Sequence, residues 1–149
     1  MVTMDNQHLY DEAMAKLAEA QTRQNDIINS NVELQRLRIA ISPTIHYATP
    51  SSLRLQYNNL VGSVNKNTKE RDDKLNEAIG KALDLVEDEV AKRTFCPTSS
   101  SVQAMIAIFS YIKSQDIHLH YSADVNTKRA KIFAKGLSEV HIYLKMFGW

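Results

Sequence analysis

Proline and glycine are scarce in this 149-residue chain: three prolines and four glycines, none of either before Pro43. β-Sheet proteins need a turn residue about every 8–12 positions, so this spacing of breakers predicts an all-α fold. Four scattered glycines, Gly62, Gly80, Gly136 and Gly148, leave no phosphate-cradling loop, which removes P-loop and dinucleotide-binding functions. A single cysteine, Cys96, excludes an intramolecular disulfide framework and suits a reducing compartment. No apolar run approaches the ~20 residues that span a bilayer. The start, Met-Val-Thr-Met-Asp, lacks the basic and apolar regions of a signal peptide. Net charge is +1, so no global field points to nucleic acid or membrane. The expected setting is cytoplasmic, or a host cytoplasm or virion if the chain is viral.

What is present is helical patterning over a chain long enough for one domain, 1–149. Residues 1–42 carry no breaker. An unbroken helix through them would be about 63 Å long, against a diameter near ~40 Å for a compact chain of this size. The segment must therefore bend, stop early, or project and find a partner. Leu9, Ala13, Leu17 and Ala20 form one stripe, which fades over Gln21–Asn25 and resumes with Ile27, Ile28, Val32, Leu34, Leu37 and Ile41. Two readings follow: a solvated bend, helped by Asn29-Ser30-Asn31, or a coiled-coil seam with polar positions that fix register. The bend is favoured.

Pro43 to Pro50 reads as a connector. A short helix follows with Leu53, Tyr57, Leu60, Val61 and Val64 on one face, ended by Asn65-Lys-Asn67. Asn67 and Glu70 have capping-box spacing and start another helix, with Leu75, Ile79, Ala82, Val86 and Val90 as its stripe and Glu87-Asp88-Glu89 on its charged faces. Pro97 closes it, and Ser100 with Gln103 caps the next. Residues 102–112 are apolar almost all round, which predicts burial on every side. After a polar loop at 116–123, Phe133, Leu137, Val140, Leu144 and Phe147 mark a last helix, and Trp149 is expected to dock. The expected fold is an all-α bundle of four to five helices with up-down topology and a long N-terminal helix, continuous or bent.

Catalytic and ligand chemistry find little support. His118 and His120 with Asp116 could ligate a metal from an extended loop, but no Cys pair, HExxH or ExxH accompanies them, and a polar solvated loop explains them better. Cys96 lies one turn beyond Lys92 and Arg93, yet a small residue before Pro97 suffices as a reason for it. The acid runs Asp72-Asp73 and Glu87–Glu89 fall on faces expected to be solvated, where carboxylates stay ordinary. No enzyme activity and no cofactor are expected.

Binding surfaces are the stronger candidates. Lys128, Arg129, Lys131 and Lys135 share one face of the last helix, within a segment from Asp124 to Trp149 that holds five Lys/Arg and two acids. That face could grip a phosphate backbone, although few cations and a lone Tyr143 make a poor stacking platform. The apolar set Ile27, Ile28, Leu34, Leu37 and Ile41, with Trp149, is the candidate protein interface.

Asp72-Asp73-x-Leu75 with Ile79, Ala82 and Val86-Glu87, followed by a proline-capped apolar helix, resembles the helical core of tailed-phage head–tail adaptor proteins over residues 72–112. The resemblance implies a subunit of a viral assembly. The function expected is a non-enzymatic helical interaction or assembly protein whose partner is a copy of itself, a homo-oligomer. A nucleic-acid-associated regulator built on the basic last helix, and a small-molecule or metal-binding sensor near His118, His120 and Tyr121, are the alternatives.

Overall fold

The computed structural model describes residues 3–41, 51–96 and 98–119; the side chains of residues 3–6 and of Ile41 lie outside that description. Three helices are present among these residues: α1 Thr3–Ile41, α2 Ser51–Ala91 and α3 Ser100–Ser114. There is no strand among them. The chain divides into two compact units. Unit 1 holds Met1–Ala18 with Lys74–Trp149, and unit 2 holds Glu19–Asp73.

The all-α class stands, but the expected four to five helices do not. Among the described residues, α2 merges two of the expected helices into one, and α1 is a single continuous helix. Helix α1 continues without a break through Gln21–Asn25 and Asn29–Asn31, where the pattern favours a break between two helices. Its buried residues Ala13, Leu17, Ala20, Gln24 and Ile27 repeat in steps of four and three, and Leu34 and Leu37 extend the same side. The stripe never stops; one of its members is an amide. Helix α2 likewise passes through Gly62 and Asn65–Asn67 without a break. Gly62 and the two asparagines are poor helix formers, but each costs only about 1 kcal/mol or less and none removes a backbone hydrogen bond as proline does. The expected last helix, from Asp124 onward, lies outside the described residues.

In unit 1, Lys16 pairs with Glu77 at 3.2 Å and Glu12 with Lys81 at 2.9 Å. Four positions back on α1 correspond to four positions on along α2, so the two helices run antiparallel there. Helix α2 buries Leu75, Ala78, Ile79, Ala82, Leu83, Leu85 and Val86. So wide an apolar face serves more than one neighbour. Helix α3 adds Val102, Ala104, Met105 and Ile108, and Ile117 follows. The expectation that 102–112 is buried all round holds on one side only: Ile106, Phe109 and Ile112 are half-buried.

Both α2 and α3 end in the same device. Arg93 and Asp116 adopt left-handed backbone, with φ of 58° and 51°. Arg93 N–H donates to the Val90 carbonyl and Thr94 N–H to that of Glu89; Asp116 N–H donates to Lys113 and Ile117 N–H to Ile112. These are two Schellman caps in which the glycine usual at that position is replaced.

Unit 2 is built from the second part of α1 and the first part of α2. The buried residues of α2 all lie at or after Leu75, so none belongs to unit 2. Leu53, Tyr57, Leu60, Val61 and Val64 face their neighbours only half-buried. Among the described residues, unit 2 is a pair of helices, and its α2 positions are half-buried or exposed.

Candidate interaction surface

The polar patch inside the α1 stripe is a structured layer. Gln24 is 7% exposed, and its Oε1 accepts a hydrogen bond from Arg71 Nη1 at 2.9 Å. Arg71 also donates from Nε and Nη2 to Asp72 Oδ1, at 3.0 and 2.7 Å. Beside it, Arg23 Nε meets Glu70 Oε2 at 2.9 Å. A helix seam that buries an amide and a guanidinium pairs well in one register, because any slip strands both groups against apolar neighbours. The second of the two readings of Gln21–Asn25, a seam with polar register positions, describes this arrangement.

Of the expected interface residues, Ile27, Leu34 and Leu37 are buried within unit 2, at 6%, 6% and 7% exposure. They are core of this chain. Ile28 stands apart at 44% exposure, with Val32 at 55% and Ile39 at 68%. Spaced by four and seven residues, these three share one side of α1. Gln21, Asn25 and Gln35 complete that stripe, so six successive members carry no charge. Elsewhere unit 2 exposes charge, as in the Arg36–Glu33 and Arg23–Asp26 pairs. Ile41's side chain and Trp149 lie outside the described residues.

Two residues that the hydropathy pattern assigned to a solvated face and to a core stripe exchange places. Glu89 is 2% exposed, whereas Val90 is 57% exposed. The Glu89 carboxylate accepts from Ser101 N–H at 3.1 Å and from the Ser101 hydroxyl in a short contact. Ser101 itself is fully buried. Helix α3 begins at Ser100 with Ser99 as its N-cap residue, which makes no side-chain cap bond of its own. A carboxylate from α2 satisfies the orphan Ser101 N–H there instead and meets the positive end of the helix dipole. The expected Ser100–Gln103 capping box does not form; Gln103 Nε2 donates to the Thr98 carbonyl at 3.0 Å. Spacing could have found Glu89, since 75, 78, 82, 85 and 89 continue one seam in steps of three and four.

The remaining candidates are simple to place. Cys96 is exposed, and its Sγ lies 3.4 Å from Thr98 Oγ1 and 3.7 Å from Ser99 Oγ. Hydrogen bonds from Thr98, and then from Ser99, hold its thiol below the ordinary range. His118 and Asp116 are 91% and 94% exposed with 3.9 Å between Nε2 and Oδ1, and His120 lies outside the described residues. Asp116 owes its place to the left-handed cap of α3. No group of three His, Cys, Asp or Glu among the described residues is placed to hold a metal ion. Lys128, Arg129, Lys131 and Lys135 lie outside those residues. No helix among them is long and apolar enough to cross a membrane.

Comparison with known protein families, with curated proteins and with solved structures finds no match for this chain. The resemblance of residues 72–112 to phage adaptor cores therefore gains nothing from these comparisons.

Proposed function

We propose that this chain is a non-enzymatic helical interaction protein that associates with copies of itself through unit 2. The observation that carries the reading is the uncharged α1 stripe, with Ile28, Val32 and Ile39 exposed on a unit whose described residues form two helices. A helix pair that leaves aliphatic side chains in water on a side free of charge gains by covering them.

The gain is modest. Fully burying such a side chain is worth about 1.5–3 kcal/mol, so three half-exposed ones contribute roughly 1 kcal/mol each, or about 6 kcal/mol over a symmetric pair. Association costs about 4 kcal/mol or more in lost motion, and a dimer populated below about 1 mM needs about 4 kcal/mol net. The reading therefore requires the amide and rim residues of the stripe to contribute about 2 kcal/mol or more. Light scattering after size exclusion, run from about 5 μM to about 1 mM, tests this. The expected result is a mass that rises from 16.9 kDa toward twice that value. Ile28→Glu with Val32→Glu returns it to the monomer without loss of helicity. A wild-type mass of one chain at every concentration overturns the reading.

A further inference from the structure

We infer that the occupant of the α1 stripe is the α1 helix of a second copy, docked antiparallel about a two-fold axis that passes beside Ser30. The inference rests on the self-association proposed above and specifies its geometry.

The stripe Gln21, Asn25, Ile28, Val32, Gln35, Ile39 advances in steps of four, three, four, three and four. That is the 3.5-residue repeat of a helix-on-helix seam, so its occupant is another helix rather than an extended strand or a loop. Its position on α1 agrees. Gln21, Asn25, Ile28 and Gln35 each follow a buried seam residue, Ala20, Gln24, Ile27 and Leu34, by one place. One place is about 100° around the helix. A helix with two seams roughly a quarter turn apart is a helix with two neighbours, as in a four-helix bundle. Within unit 2, α2 is one neighbour; a second hairpin would supply the other.

Register and direction follow from the residues. Antiparallel pairing about Ser30 sets Ile28 opposite Val32 of the second copy, Asn25 opposite Gln35, and Gln21 opposite Ile39. Aliphatic meets aliphatic at the centre, and amide meets amide one layer out, where each can donate and accept. Along the flanks Arg36 lies opposite Thr22 and Arg38 opposite Gln24. Asn29 and Asn31 each meet their own counterparts near the axis. No two like charges face one another. A parallel pairing would gather Arg36 and Arg38 of both copies around one turn and align the two helix dipoles. The antiparallel arrangement sets equivalent arginines at least about 18 Å apart along the axis, beyond the range of charge interaction at physiological salt. Asn29 and Asn31, poor helix formers inside a long helix, then have a reason: amides on either flank of the two-fold axis.

Cysteine pairing tests the geometry. In a Cys96→Ser background, Gln21→Cys and Ile39→Cys proteins are mixed and oxidised with diamide. The mixture forms a disulfide-linked heterodimer. Ile39→Cys alone does not link, because its two copies lie about 27 Å apart along the axis. Asn25→Cys with Gln35→Cys gives the same pattern and serves if the first pair fails to fold. Linking of Ile39→Cys to itself, or a wild-type dimer with no link in either mixture, overturns the antiparallel geometry and leaves self-association standing. A wild-type protein that stays monomeric removes both.

Discussion

The Glu89–Ser101 contact makes a quantitative demand on the joint between α2 and α3. Glu89→Ala removes a carboxylate that accepts two hydrogen bonds at a place where both residues are essentially dry. Each stranded donor costs roughly 1–3 kcal/mol, and the charge at the helix N-terminus adds up to about 1 kcal/mol. A loss of about 3–4 kcal/mol is expected in urea denaturation followed by far-UV circular dichroism. Glu89→Gln keeps an oxygen for the Ser101 N–H and loses the charge, so it costs about 1–2 kcal/mol. Ser101→Ala keeps the N–H bond and strands one carboxylate oxygen, with a similar cost. The double variant Glu89→Ala with Ser101→Ala removes the hydroxyl together with the carboxylate, leaves only the backbone N–H of residue 101 stranded, and costs less than the sum of the two single losses; the coupling is about 1–3 kcal/mol. If Glu89→Ala falls within about 0.5 kcal/mol of the wild type, as an exposed surface change would, the clamp contributes nothing and the reasoning fails.

Three other outcomes follow from the structure. Gln24→Leu alone deprives the Arg71 guanidinium of its seam partner and lowers stability by about 1–2 kcal/mol, whereas Gln24→Leu with Arg71→Met recovers most of it; a double variant worse than the single one contradicts the polar layer. Gly80→Ala adds a methyl that meets nothing within 4 Å, and it raises stability by about 0.5–1 kcal/mol in thermal melts, a decrease refuting the open-space geometry. Glu12 is held below its ordinary pKa, chiefly by the hydrogen bond from Lys81. A lowered folded-state pKa means that the unfolded chain binds more protons, so this contribution is present above the ordinary carboxylate range and fades as pH falls through the lowered value. Glu12→Gln therefore flattens the acid limb of a stability–pH curve, and an unchanged limb refutes the pairing.

The helical class and much of the core could be read from the chain alone. Leu75, Ile79, Ala82 and Val86 are buried as their spacing predicts, and so are Ala13, Leu17 and Ala20. The failures share one cause. Hydropathy counts a polar residue as an interruption, but Gln24 and Glu89 keep the seam period and are buried because their partners lie elsewhere in the sequence. Gln24 is satisfied by Arg71, 47 residues on, and Glu89 by Ser101, 12 residues on. No local window contains the first of these pairs. The exchange of Val90 for Glu89 shows the same limit, since steps of four and three differ by one residue and only the packing selects between them. Of the residues expected at an interface, Ile28 is exposed while Ile27, Leu34 and Leu37 turn inward.

The two polar contacts also differ in how far the chain must travel to make them. Joining Glu89 to Ser101 closes a loop of 12 residues, and joining Gln24 to Arg71 closes one of 47. The longer closure costs about 1.2 kcal/mol more in chain entropy before any contact rewards it. The corner between α2 and α3 is therefore the cheaper nucleus, and α1 is recruited onto a partner already in place. In kinetic terms, damage at Glu89 slows folding, whereas damage at Gln24 or Arg71 leaves folding nearly unchanged and hastens unfolding.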